Sequence, residues 1–179
     1  MKLDRFITPT WHGHIDIAES TINKFHDWLK FEKELDPNGA SESTTQNGWQ
    51  YMFGQWDAEP DWFKDLASHL DAIKKEINFV RTKSMWVVSY NSGGYQDPHF
   101  HNIGIAESAT ILINLEGNGE LVLQDPRQLA MAQGLGFADI VHLAPGDWVV
   151  MPTYLIHNSR PCNGLRNILV MDVYITYGH

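Results

Sequence analysis

Three histidines are the residues of this chain best placed to do chemistry together. His99 and His101 stand two apart within Gly93-Gly94-Tyr95-Gln96-Asp97-Pro98-His99-Phe100-His101-Asn102. On an extended segment both imidazoles project from one face, at a separation that a single metal ion bridges. The third, His157, ends the run from Pro145 to Ile156, in which a Pro-Gly-Asp turn launches an apolar strand. Imidazole is a neutral, borderline-soft donor that suits iron, zinc, copper or nickel, and three protein ligands leave coordination positions open. The remaining histidines, His12, His14, His26, His69, His142 and His179, read as helix, loop or terminal residues, although His12-Gly13-His14 repeats the two-residue spacing.

The rest of the chain must position that cluster. With 179 residues, 43% apolar and 20% charged, the expectation is one globular domain over 1–179. Thirteen Lys and Arg against twenty-two Asp and Glu give a net charge of -9, so bulk charge offers nothing to nucleic acid or an anionic membrane. One cysteine, Cys162, excludes an intrachain disulfide and a Cys-rich zinc site and points to a reducing cytoplasm. No signal-like stretch opens the sequence, and no run approaches the roughly 20 apolar residues of a membrane span. The last lysine is Lys83; beyond it the only cations are Arg127, Arg160 and Arg166. A solvated surface normally recruits both kinds of cation, so each of these arginines carries unusual weight.

Apolar residues at three- and four-residue intervals predict a helix within Ile15 to Leu35, stopped by Asp36-Pro37-Asn38-Gly39. Ala40 to Asn47 reads as a loop entering an extended Gly48-Trp49-Gln50-Tyr51. A second helix starts near Pro60-Asp61 and runs to Ile77. After Lys83 the period becomes that of strands: Trp86–Asn91, Ala109–Leu115, Glu120–Leu123, Val141–Leu143, Asp147–Met151 and Arg166–Tyr177. The expected class is mainly β with α, an antiparallel sandwich or barrel over 86–179 with a helical support region in 1–85.

Taken in order, Gly48-Trp49-Gln50, Tyr90-Asn91-Ser92-Gly93-Gly94-Tyr95, His99-x-His101, Leu123-Gln124-Asp125-Pro126-Arg127, Pro152 to His157, and Arg166 resemble the 2-oxoglutarate and Fe(II)-dependent oxygenases. The likeness is strongest to a small subgroup that combines Gly-Trp-Gln, H-x-H and Asp-Pro-Arg. It implies a double-stranded β-helix, or jelly roll, with Fe(II) and 2-oxoglutarate as cofactors. It also implies hydroxylation of a C–H bond of a protein side chain or small molecule, with release of succinate and CO2. His99, His101 and His157 would then be metal ligands. Arg166 would clamp the remote carboxylate of the cosubstrate through two parallel hydrogen bonds, with Tyr90 beside it. One departure stands out: the family's usual motif is H-x-D or H-x-E, and His101 occupies the carboxylate position. Asp97 and Glu107 are the nearby carboxylates that would otherwise approach the metal.

Gly93, His99-x-His101, Pro145-Gly146-Asp147 and His157 also resemble the two cupin motifs, which would make the chain a dioxygenase, isomerase or sugar-binding module without 2-oxoglutarate. A cupin's glutamate ligand would have to be Glu107, at an unusual spacing, and Arg166 would be unexplained. A non-enzymatic scaffold is the third possibility, with Trp11, Trp49, Trp56 and Trp62 serving protein contacts, although aromatics at such spacing are usually core. Substrate choice would rest with Ala40 to Asn47, Asn102 to Glu107 and Gln128 to Asp139.

Overall fold

A computed structural model describes residues 8–40, 44–54, 59–101, 107–124, 126–127 and 138–176. Nine strands and two helices occur among them: β1 (Trp11–His14), α1 (Glu19–Leu35), β2 (Thr45–Met52), α2 (Asp61–Glu76), β3 (Phe79–His99), β4 (Ser108–Glu116), β5 (Gly119–Gln124), β6 (Ala138–Leu143), β7 (Asp147–Pro152), β8 (His157–Ser159) and β9 (Arg166–Ile175). The strands form one curled antiparallel sheet in the order β1-β7-β4-β9-β3-β8-β5-β6, with β2 pairing β3 from outside that path. The architecture is therefore mainly β, a jelly-roll-like curl with helices against one face, as the strand-rich second half of the sequence implies.

Alternation along the strands separates two apolar layers. Val87, Ala109, Ile111, Ile113, Leu115, Leu169, Met171 and Val173 face the helices and pack with Phe25, Leu29, Trp62, Leu66, Leu70 and Ile73. Their neighbours Trp86, Val88, Tyr90, Leu112, Ile168 and Val170 point into the curl with Leu121, Leu123, Val149 and Met151. Helix α2 follows Pro60 as expected, with Asp61 in its first turn and Lys74 and Lys75 in its last, each favourable to the helix dipole. Helix α1 begins four residues later than the periodicity predicts. Residues 11–14 pair with β7 instead, and Ile15 N–H donates to Gly146 O, so the chain enters α1 from the sheet edge.

The helical support region is also more sheet than expected. β1, β2 and the first part of β3 all lie before residue 86. Trp49 and Trp62 are core residues, 6% and 1% exposed. Trp62 meets Phe25 edge-on, with ring centroids 5.1 Å apart, and Trp28 stacks on Phe53 at 5.6 Å. That packing occupies the tryptophans a scaffold would have used for partners; Trp11 is partly buried against the same core, and Trp56 lies outside the described residues.

Candidate metal and carboxylate site

β3 is the element that assembles the site, because it changes partner midway. From Phe79 to Tyr90 it pairs with β9, ending on Tyr90 opposite Arg166; from Gln96 to His99 it pairs with β8, placing Gln96 opposite Ser159 and His99 opposite His157. The change occurs at Gly93-Gly94, a bulge within a continuous strand. Gly93 has φ +80, and a Cβ on Gly94 would lie 2.7 Å from Asn47 O and 2.8 Å from Asn91 O. Cys162, between β8 and β9, closes the bulge: Gly93 N–H donates to its carbonyl and its own N–H donates to Gly94 O.

His99, His101 and His157 converge as their spacing implies. Each offers a ligand nitrogen, and those atoms all lie within 4.8 Å of one another. Each ring is held by Nδ1. His99 donates to Asp97 O and His157 to Leu155 O, both at 2.8 Å, and His101 faces Asp172 Oδ1 at 2.7 Å and Thr110 Oγ1 at 2.9 Å. A carbonyl oxygen only accepts, so His99 and His157 carry their proton on Nδ1 and present a bare Nε2. Burial pulls the His99 imidazole below its ordinary pKa. The same desolvation, with the nearby His99, takes His157 to about 3, so both are neutral near pH 7. Trp86 meets His101 edge-on at 5.2 Å. Fixed tautomers, one buried and two partly buried rings, and convergent lone pairs fit a divalent metal ion.

Neither alternative carboxylate joins them. Glu107 is exposed, and its carbonyl accepts from Ile175 N–H. Asp97 contributes its backbone to His99, while its side chain accepts from Gln46 Nε2 at 3.0 Å. His14 pairs with Asp147 at 2.8 Å on the sheet edge, and among the described residues no other histidine belongs to a potential metal cluster.

Arg166 and Tyr90 are both 0% exposed on the inner face. The guanidinium donates from Nε to Asn114 Oδ1 at 2.8 Å and from Nη1 to Ser159 Oγ at 3.3 Å; Nη2, though buried, has no hydrogen-bond partner among the described residues. Both acceptors are neutral. Isolating a cation from water without an anion costs several kcal/mol. Tyr90 Oη donates to Gln96 Oε1 at 3.2 Å, and burial raises its pKa to about 12 against the opposing pull of Arg166. Since His157 and Ser159 are two residues apart on the buried face of β8, about 7 Å of strand separates the imidazoles from the guanidinium's Ser159 contact. Gln96, Thr110, Leu112, Leu121 and Val170 line a recess of about 10 Å³ at the histidines, the room of one ion or water molecule.

Sequence reasoning passed over Gln96, Asn114, Ser159, Thr110 and Asp172. Two of them had a signal: Asn114 in Ile111-Leu112-Ile113-Asn114-Leu115 and Asp172 in Val170-Met171-Asp172-Val173 are lone polar groups inside apolar strands. Residues 41–43, 102–106 and 128–137, which make up most of the expected substrate loops, and Asp125 of the Asp-Pro-Arg motif lie outside the described residues.

No protein-family model and no curated protein sequence matches the chain. Solved structures do. The fold is shared with several prolyl hydroxylases. A Pseudomonas putida prolyl-4-hydroxylase superposes with a TM-score of 0.62 at 12% identity, covering 94% of each chain. A Trichoplax adhaerens prolyl hydroxylase, in complex with a hypoxia inducible factor peptide fragment, gives 0.63 at 14% identity over 92% of this chain and 83% of its own. The collagen prolyl hydroxylase of Paramecium Bursaria Chlorella virus-1, solved as a 2OG complex, gives 0.55 at 16% identity over 92% and 96%.

Proposed function

We propose that the chain is a 2-oxoglutarate- and Fe(II)-dependent dioxygenase, one domain over 1–179 acting in a reducing cytoplasm. His99, His101 and His157 hold the metal, and Arg166 and Tyr90 hold the cosubstrate's remote carboxylate. The observation that carries this reading is the buried Arg166 guanidinium, which among the described residues has two neutral acceptors, a free Nη2 and no carboxylate partner. A fold keeps such a cation where an anionic ligand completes it. The oxygenase fold of the neighbours and the three-histidine cluster support the same reading.

Dioxygen would be the oxidant for C–H hydroxylation: Fe(II) would activate it, and 2-oxoglutarate would supply two of its four electrons, leaving as succinate and CO2, while the C–H bond supplies the other two. The chain's own residues orient the reactants. Asn114 and Ser159 fix the guanidinium plane, leaving Nη2 free to donate. Tyr90, neutral near pH 7, has its phenol at the same end, and its O–H, now donated to Gln96 Oε1, would turn to a bound carboxylate. Leu112, Leu121, Met151 and Val170 keep the recess beside the imidazoles apolar. For the substrate we favour a protein side chain or small molecule, on the strength of the neighbour solved with a bound peptide. The cupin reading loses its ligand set, because Glu107 stands outside the histidine cluster.

Calorimetry with Mn(II) in place of oxygen-sensitive iron tests the proposal. 2-Oxoglutarate binds the metal-loaded wild type, and Arg166→Ala loses about 2 to 5 kcal/mol of that affinity, or roughly thirty-fold to several thousand-fold, while keeping its metal. With Fe(II) in air, succinate accumulates. A metal-loaded protein that ignores 2-oxoglutarate would overturn the assignment.

A further inference from the structure

The three imidazoles differ in what lies behind them. His99 and His157 each rest on a neutral backbone carbonyl, whereas His101 rests on the carboxylate of Asp172, 2.7 Å from its Nδ1. Asp172 is 4% exposed on the inner face of β9, directly opposite Thr110 of β4 and Ser84 of β3. Thr110 Oγ1 donates to its Oδ1 at 2.8 Å and Ser84 Oγ to its Oδ2 at 3.4 Å. Among the described residues its one basic partner in an ion pair is His101. A carboxylate is thus buried at the back of the one ligand that stands where related sites place a carboxylate ligand.

We propose that His101 and Asp172 act as a unit replacing that ligand: the imidazole takes the coordination position, and the negative charge sits one hydrogen bond further out. The inference rests on reading the histidines as a metal site, and it makes Asp172 a positioning residue. A carboxylate accepting from Nδ1–H fixes the tautomer that bares Nε2, sets the ring plane and makes the imidazole a stronger donor. Thr110 and Ser84 hold the carboxylate in turn. The unit also explains why an acid stands within the apolar run Ile168 to Val173, where it has no lysine or arginine partner among the described residues. Moving the charge back into the first position is then possible only if position 172 gives it up, because aspartates at 101 and 172 would put two carboxylates in one buried pocket.

Titration calorimetry of the metal-free protein with Mn(II), and visible spectra with Co(II), test this without 2-oxoglutarate. Asp172→Asn, close to isosteric, keeps the metal-free melting temperature at or above the wild-type value but weakens Mn(II) binding about 10- to 100-fold and shifts the Co(II) bands. His101→Asp binds metal poorly. His101→Asp with Asp172→Asn regains affinity to within about ten-fold of wild type, a non-additivity that independent residues would not show. Wild-type affinity and spectrum in Asp172→Asn, or a double variant no better than His101→Asp, would overturn the unit while leaving the metal site standing. A wild type that takes up no Mn(II) at all would overturn both.

Discussion

Gly119 lies flat against the guanidinium of Arg166, so closely that a Cβ at position 119 would collide with the Cζ, Nε and Nη1 atoms. The glycine opens β5 and has an ordinary backbone there, so its purpose is close approach rather than an unusual turn. Gly119→Ala pushes Arg166 off Asn114 and Ser159 and misdirects Nη2. The expected outcome is at least a ten-fold loss of 2-oxoglutarate affinity with Mn(II) binding unchanged, read by calorimetry on the same preparation. Equal loss of both would show a general collapse of the curl instead.

Metal loading should follow the three rings and no carboxylate of the 97–107 segment. Mass-spectrometric metal analysis is expected to give near-stoichiometric Fe(II) or Mn(II) in the wild type and strong loss in His99→Ala and His157→Ala. Glu107→Gln retains full loading, since Glu107 is exposed and outside the cluster. Loss of metal in Glu107→Gln would return the cupin ligand set to consideration.

The bulge at Gly93-Gly94 joins the two halves of the site, so its disruption should cost stability and function together. In Gly94→Ala the new methyl meets three close contacts, including the Asn47 and Asn91 carbonyl oxygens, and backbone atoms yield little. Overpacking of this kind costs about 1 to 3 kcal/mol. Denaturant unfolding should show that loss, and metal affinity should fall with it, because His99 sits beyond the bulge on the same strand. A variant with wild-type midpoint would mean that β2 and β3 can separate there freely.

What could be read from the sequence divides along the same strand. His99 and His101 were legible because a two-residue period gives facing side chains in any extended segment, and Arg166 because it stands in a half of the chain without lysine. Gly93-Gly94 was not, since a turn and a bulge use the same residues and only the pairing with β2, β8 and β9 distinguishes them. Residues 11–14 and 79–85 were passed over for a related reason. They are short or polar, and their strand character comes from the neighbours they pair with. Asp172 was visible as an acid in an apolar run, but its connection to His101 spans 71 residues and depends on two register choices. Local pattern gave element types and the ligand candidates; long-range register gave the groups behind them.

Tyr90 gives the site a signature at high pH. Its buried phenol has a pKa of about 12 in the folded chain, raised by desolvation, against an ordinary value near 10 once unfolded. The folded pKa is the higher one, so the unfolded chain releases this proton first. The stability linked to Tyr90 is complete below pH 10 and is lost as the pH climbs towards 12, by about 1.4 kcal/mol at pH 11. Tyr90→Phe removes a titrating group while keeping the ring on Arg166, 5.9 Å from Cζ to centroid. Its melting temperature should therefore fall less steeply between pH 10 and 11 than that of the wild type, even if it starts lower for want of the bond to Gln96. Ultraviolet phenolate absorbance provides the second reading: the wild-type minus Tyr90→Phe difference should titrate near pH 12. A difference titrating near 10 would mean that water reaches Tyr90, and with it the guanidinium that the proposed carboxylate must fill.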